Sequence, residues 1–297
     1  MKTTRRAFLA AAGAVGLAAS TAGAIEPIRR VGRPHMRLSL AAYSFRQALD
    51  LRRKPRPAMT LDDFIDWCAE QPLDAVELTA YYFAETTPRY LAGLKGHATR
   101  LGLDVSGTAV GNNFCVRDGT RLKREIESVK RWIEHTSRLG GKTMRIFAGN
   151  VEKGDTEERA RGRCIEAFEE VCAHAGEYGV YLALENHGGI TGTSDQMLAL
   201  VRPVKSPWFG VNLDTGNFQT KDPYADLARI APYAVTVQLK TEIQRQGAKK
   251  EEADLKRLIT ILRDAGYRGY VALEYEAAEE ARKAVPRYLK ILRGLME

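Results

Sequence analysis

Val180-Tyr181-Leu182-Ala183-Leu184-Glu185-Asn186-His187-Gly188-Gly189 and, after it, Phe209-Gly210-Val211-Asn212-Leu213-Asp214-Thr215-Gly216-Asn217 decide the fold. Each begins as a short apolar run and breaks on an acidic residue and a glycine. Each then leads to a helix start, Ser194-Asp195 after the first and Asp222-Pro223 after the second. Runs of this kind suit parallel strands that are covered by helices on one side and filled by side chains on the other. Strand, polar turn and capped helix in succession make the βα unit of a parallel α/β fold.

Further runs of the same kind lie on both sides: Arg37–Ala42, Ala75–Leu78, Leu103–Gly107 and Thr143–Phe147 before, Ala234–Leu239 and Tyr270–Leu273 after. The helices between them have readable starts. Thr60 precedes Leu61–Gln71 as an N-cap, Pro88 takes the tolerated first helical position after Thr87, and Asp155-Thr156-Glu157-Glu158 opens a helix that Gly179 ends. The last helix is expected from Ala277 to Gly294. Eight strands, each followed by a helix, predict a single (β/α)8 TIM barrel of the α/β class. The first strand is followed by neither a GxGxxG nor a P-loop, which counts against an open nucleotide-binding sheet.

The amino terminus speaks to compartment. Thr4-Arg5-Arg6-Ala7-Phe8-Leu9 is a twin-arginine start, followed by an Ala/Gly-rich apolar run to Ala19 and the small-x-small site Ala22-Gly23-Ala24. Residues 1–24 are expected to be a cleaved signal, 25–35 a linker and 36–297 the barrel. The product is expected to be periplasmic or otherwise exported, with no membrane anchor left after cleavage. The formal charge of +8 falls to +5 when Lys2, Arg5 and Arg6 leave. The remaining basic residues are interspersed with acids, as in Lys123-Arg124-Glu125, which reads as solvated helix faces and excludes a nucleic-acid stripe. Cys68, Cys115, Cys164 and Cys172 have no metal-ligand spacing and read as buried thiols.

Barrel chemistry sits where the strands end at their carboxyl side. Four successive ends carry Glu185, Asp214, Gln238 and Glu274. Three carboxylates converging on one rim repel one another, and a divalent cation is the simplest remedy; an all-oxygen set suits Mn²⁺ or Mg²⁺ better than Zn²⁺. A lone Glu at a strand end is more often an ion-pair partner, so the weight lies in the four together.

The ends L-E-N-H-G-G, L-D-T-G-N, V-Q-L-K and L-E-Y-E resemble the sugar phosphate isomerase/epimerase family, the xylose isomerase-like barrels grouped with the endonuclease IV relatives. The resemblance spans nearly all of the mature chain. It implies one divalent metal ion, Mn²⁺ first and Mg²⁺ or Co²⁺ after it, bound by Glu185, Asp214, Gln238 and Glu274. It also implies that Glu185 and Glu274 act as paired acid and base. Gln238 stands where many members have His, and Asn217 replaces a His often found three residues after the Asp.

Around that set, His187 is read either as a substrate ligand or proton relay or as a residue that orients its loop. Glu77 is read as a sugar ligand or as the partner of Arg145. Asn113 and Arg145 are expected at the substrate, and Lys240 is expected to face an enolate oxygen or to pair with a neighbouring carboxylate. These residues imply proton transfer through an enediolate on a small sugar, a homo-oligomer being compatible. A lyase or dehydratase acting on keto-glycosides and a non-catalytic carbohydrate-binding barrel are the alternatives. An endonuclease IV-like enzyme fits poorly, because it needs a His-rich multi-zinc site and only His187 lies at a strand end.

Overall fold

A computed structural model describes residues 25–53 and 56–297, so the twin-arginine start and its cleavage site lie outside the described residues. Eight parallel strands close a barrel. They are β1 (His35–Ala41), β2 (Ala75–Thr79), β3 (Asp104–Ala109), β4 (Thr143–Ile146), β5 (Tyr181–Glu185), β6 (Phe209–Asp214), β7 (Ala234–Leu239) and, after two short strands, β10 (Arg268–Leu273). Each strand pairs with its neighbours in sequence, and β1 closes the ring on β10, with His35 beside Arg268 and Leu40 beside Leu273. Among the described residues eight α-helices alternate with these strands: α1 (Leu61–Ala69), α2 (Pro88–Arg100), α3 (Gly119–Leu139), α4 (Glu157–Tyr178), α5 (Ser194–Val201), α6 (Pro223–Ile230), α7 (Leu255–Asp264) and α8 (Ala281–Met296).

The helix starts follow from their caps. The Thr60 hydroxyl accepts from the Asp63 N–H while the Asp63 carboxylate accepts from the Thr60 N–H, a complete capping box. The Thr87, Thr156 and Asp222 side chains cap α2, α4 and α6 in the same sense. Apolar helix faces, such as Phe64, Ile65 and Cys68 of α1, pack on fully buried strand residues such as Leu38, Val76 and Leu78. All four cysteines are buried free thiols.

Three features depart from the expected outline. A small antiparallel hairpin that the strand count did not include follows β7, β8 (Glu242–Gln244) with β9 (Lys250–Glu252), and its Ile243 is buried. The last helix starts four residues later than expected, at Ala281. Residues 25–34, expected as a linker, are held against the floor of the barrel. The Ile25 and Ile28 N–H groups donate to the Arg202 and Pro232 carbonyls at 2.9 and 3.0 Å, and Arg30 donates to the Pro232 and Ala265 carbonyls, both at 3.3 Å. A cavity of about 890 Å³ opens at that floor, lined by Ile25, Ile28, Tyr181 and Tyr270 among others. Its walls are strand starts, the end of the barrel opposite the expected chemistry. No helix among the described residues is long and apolar enough to cross a membrane.

Candidate active site

At the other end, β5, β6, β7 and β10 deliver Glu185, Asp214, Gln238, Lys240 and Glu274 to one buried rim, each side chain drawn below the barrel surface. Glu77 of β2 and Arg145 of β4 reach the same interior from the opposite strands. A charge buried to this depth is tolerable only when paired.

Glu185 is paired by Arg145, whose Nε lies 3.0 Å from Glu185 Oε2. The guanidinium also donates to the Val110 carbonyl at 2.8 Å and lies over the Phe147 ring, 4.0 Å from its centre. Asn217 donates to Glu185 Oε1 at 2.9 Å, and His187 Nδ1 meets the same oxygen. Burial alone would raise the Glu185 pKa, but Arg145, followed by His187, outweighs it and holds the carboxyl below its ordinary value.

Lys240 forms a second centre. Its Nζ stands 2.6 Å from Glu276 Oε2, 2.9 Å from Glu274 Oε2 and 3.4 Å from Asp214 Oδ2. Burial works to lower the ammonium pKa, and these carboxylates more than reverse it, so Lys240 is held well above its ordinary value. Burial raises Glu274, with Lys240 opposing and Glu185 and Glu276 adding to the rise; it drives Asp214 well above the carboxylate range. The two acids that resemblance pairs, Glu185 and Glu274, are thus shifted in opposite directions.

The strand ends are pinned. The Asn186 carboxamide accepts from the Asp214 N–H and donates to the Asp214 carbonyl, at 3.0 and 2.9 Å, locking β5 to β6. Ser44, in the single turn of 3-10 helix after β1, donates to the Leu273 carbonyl and accepts from the Tyr275 N–H, while Arg46 donates to the Tyr275 and Glu276 carbonyls. Gly216 matters for room: a Cβ there would lie 3.0 Å from Lys240 Cβ and 2.9 Å from the Glu242 carbonyl oxygen.

Gln238 has no free amide end. Its Nε2 donates to Glu77 Oε1 at 2.7 Å, and its Oε1 accepts from Asn212 Nδ2 at 2.6 Å. In this orientation both ends of the amide are hydrogen-bonded, while Asn212 Oδ1 is left buried without a partner. The four-ligand divalent centre expected of Glu185, Asp214, Gln238 and Glu274 therefore does not fit the residues as placed. The Gln238 amide is held between Glu77 and Asn212, and each carboxylate faces a protein cation. Among the described residues no three His, Cys, Asp or Glu side chains converge closely enough to hold a metal ion.

The other expected site residues divide. His187 joins the site, its half-exposed ring tilted over Phe147 at 4.3 Å between centres. Glu77 bonds Gln238 rather than Arg145, and burial pushes its carboxyl up to about 7. Asn113 is not brought to the carboxylates: its side-chain oxygen accepts from the Cys115 N–H at 2.9 Å within its own loop. Asn212 and Glu276 complete the rim without having been singled out. For Asn212 the available signal was strand period, since it lies two residues before Asp214 on the same face of β6; Glu276 lies past the end of β10, where no such period applies. Beside the rim, Tyr43, Arg46, Leu51, Tyr81 and Tyr82 line an open cavity of about 650 Å³, large enough for a sugar.

The profile of the xylose isomerase-like TIM barrel family matches residues 65–293. Among solved structures, D-psicose 3-epimerase from Clostridium cellulolyticum H10, with D-tagatose, superposes with a TM-score of 0.70 at 16% identity, covering 88% of this chain and 100% of that one. An L-ribulose 3-epimerase gives 0.68 at 19% identity over 87% and 96% of the two chains. The 3-keto-D-glucoside 4-epimerase of E. coli gives 0.66 at 15% identity over 87% and 99%. At these identities the likeness establishes the fold. No curated protein matches the chain.

Proposed function

The chain belongs to the xylose isomerase-like TIM barrel family, and from that membership we propose that it is a sugar isomerase or epimerase working by proton transfer through an enediolate. The observation that carries the reading is the pair of buried carboxyls, Glu185 beside Arg145 and Glu274 beside Lys240, whose surroundings push their proton affinities apart. Such a pair assigns base and acid on one fold.

Glu185, kept ionised, takes the proton from the carbon next to a sugar carbonyl. The C–H electron pair moves into the new C=C bond, and the carbonyl electrons move onto oxygen. The Lys240 ammonium faces that oxygen and offsets its charge from a buried position. Glu274 then donates its proton. Delivery to the opposite face of the same carbon gives an epimer. Delivery to the former carbonyl carbon, with the neighbouring hydroxyl proton passing to the former carbonyl oxygen, gives the aldose–ketose isomer, and Glu274 regains its proton from solvent before the next turnover. His187, touching Glu185 and half open to solvent, returns the abstracted proton to water.

The proposed substrate is an unphosphorylated sugar or keto-sugar, met after export by the twin-arginine route. The rim favours this: of the two arginines in the cavity, Arg46 donates to the Tyr275 and Glu276 carbonyls and Arg52 is paired with Asp50. The test is deuterium uptake from solvent at sugar α-carbons, followed by NMR over a panel of ketoses and keto-glycosides. Exchange on at least one of them is expected. Binding without exchange across the panel would sink the proposal, and release of the glycosidic group would assign a lyase instead.

A further inference from the structure

We propose that the Lys240 ammonium is the resident cation of this site, standing where the family resemblance places a divalent metal ion. The inference deepens the reading above and rests on it for the chemistry, although the geometry stands by itself.

Three observations converge. First, the Lys240 Nζ is surrounded by acids from two strand ends, Asp214 after β6 and Glu274 and Glu276 after β10, at 3.4, 2.9 and 2.6 Å. The ammonium donates to Glu276 Oε2 and stands at ion-pair distance from Glu274 Oε2 and from Asp214 Oδ2, a buried oxygen with no hydrogen-bond donor of its own. Second, the path of its stem is built. Lys240 is the first residue past β7, two after Gln238, its N–H donates to Thr215 Oγ1 at 2.8 Å, and Gly216 leaves the space through which the side chain passes. Third, the residue in the ligand position of β7, Gln238, is turned to a different task and holds Glu77 to Asn212 across the barrel. A divalent ion entering among Asp214 and Glu274 would meet a fixed positive charge and find the Gln238 oxygen already accepting from Asn212.

A lysine in this place changes the chemistry as well as the ligand count. It is a point charge with donor protons, suited to balancing an enediolate oxygen, and it needs no metal loading before or after export. It also ties catalysis to the carboxylates that hold it. Glu276, absent from the expected ligand set, becomes a positioning residue through its contact with Nζ.

The test uses the full chain stripped with EDTA and returned to chelator-free buffer. Titration calorimetry with Mn²⁺ alone should show no one-to-one isotherm for the parent. Lys240→Ala, with Lys240→Met as the bulkier uncharged companion, should vacate the place and bind one Mn²⁺ per chain. Circular dichroism identifies which of the two is folded. In the exchange assay the parent should retain its full rate in EDTA, and Lys240→Ala should lose about 10²–10³-fold, as removal of one oxyanion donor does, with partial rescue by methylammonium.

A parent that binds one Mn²⁺ with micromolar affinity overturns the proposal, and so does a folded variant that binds none. Because the titration contains no sugar, a chain inert on every sugar would refute the proposed function and leave this result standing.

Discussion

Arg145→Met tests the pairing on which the base depends. Arg145 and Glu185 are both almost wholly buried and lie 3.0 Å apart. Removing one partner of such a pair costs about 3–5 kcal/mol, because a charge is left in the interior without its counter-ion. Glu185 would keep Asn217 and His187, which favours the lower end, while the lost hydrogen bond to the Val110 carbonyl adds about 1 kcal/mol. A loss near 3–4 kcal/mol at neutral pH corresponds to a fall in Tm of roughly 6–16 °C for a domain of this size. The pH dependence has a definite sign. The folded-state pKa of Glu185 lies below its ordinary value of 4.5, so its stabilising contribution is present above that value. It is lost as pH falls through the folded pKa. The variant has lost Arg145, the first of the three groups holding that pKa down, with His187 and Lys240, and the gap between the two proteins should close on acidification through the carboxylate range. Urea unfolding at several pH values, with the Arg145→Met/Glu185→Gln double variant as partner in a cycle, measures it. Equal midpoints, or a gap that does not change with pH, would refute the pairing.

Glu77→Gln removes a buried carboxyl whose pKa is raised from 4.5 to about 7 by burial, with Glu274 adding and Gln238 opposing. A raised folded-state pKa lowers stability as pH climbs from the unfolded value through the folded one. The amide should therefore flatten the stability–pH curve over that window and gain roughly 3 kcal/mol above it, read by urea midpoints. Gln238→Leu strands both Glu77 and the Asn212 amide, so it should cost about 2–4 kcal/mol in the same assay, and a neutral result would mean that the bridge is not made. Arg5→Lys with Arg6→Lys should leave the chain in the cytoplasm with its signal uncut, as cell fractionation would show; unchanged export would remove the twin-arginine reading.

The fold was legible because periodicity and caps agree along the whole chain. Each of the eight apolar runs became a barrel strand within two residues of the expected bounds, since every run is buried on both faces and ends at a polar rim. What escaped had weak local signal. The strands of the β8–β9 hairpin are three residues long and largely charged, so no alternation could be read; a buried Ile243 and a backbone bond from Gln246 to the Thr220 carbonyl hold it in place. The segment expected as a linker has the composition of one, but carbonyls at the ends of distant helices bind it, and those appear only in the folded barrel.

The site shows where reading by strand ends stops. Position along a strand gives the face and the depth of a side chain, so Glu185, Asp214, Gln238, Lys240 and Glu274 were all assigned to one rim from spacing alone. Spacing does not say how far each side chain reaches. Lys240, the first residue past β7, lies two residues from Gln238, and either could address the carboxylates. The short amide is drawn inward by Glu77 and Asn212, while the long stem of Lys240, passing Gly216, carries its charge to Asp214, Glu274 and Glu276. Family resemblance weighted the first position because a ligand usually stands there, whereas the side-chain chemistry weights the second. An amide supplies no charge to three gathered acids, and an ammonium does. The substitution at Gln238 and the presence of Lys240 are on this reading one change: once the cation is covalently attached, the β7 ligand is free to serve as a structural bridge.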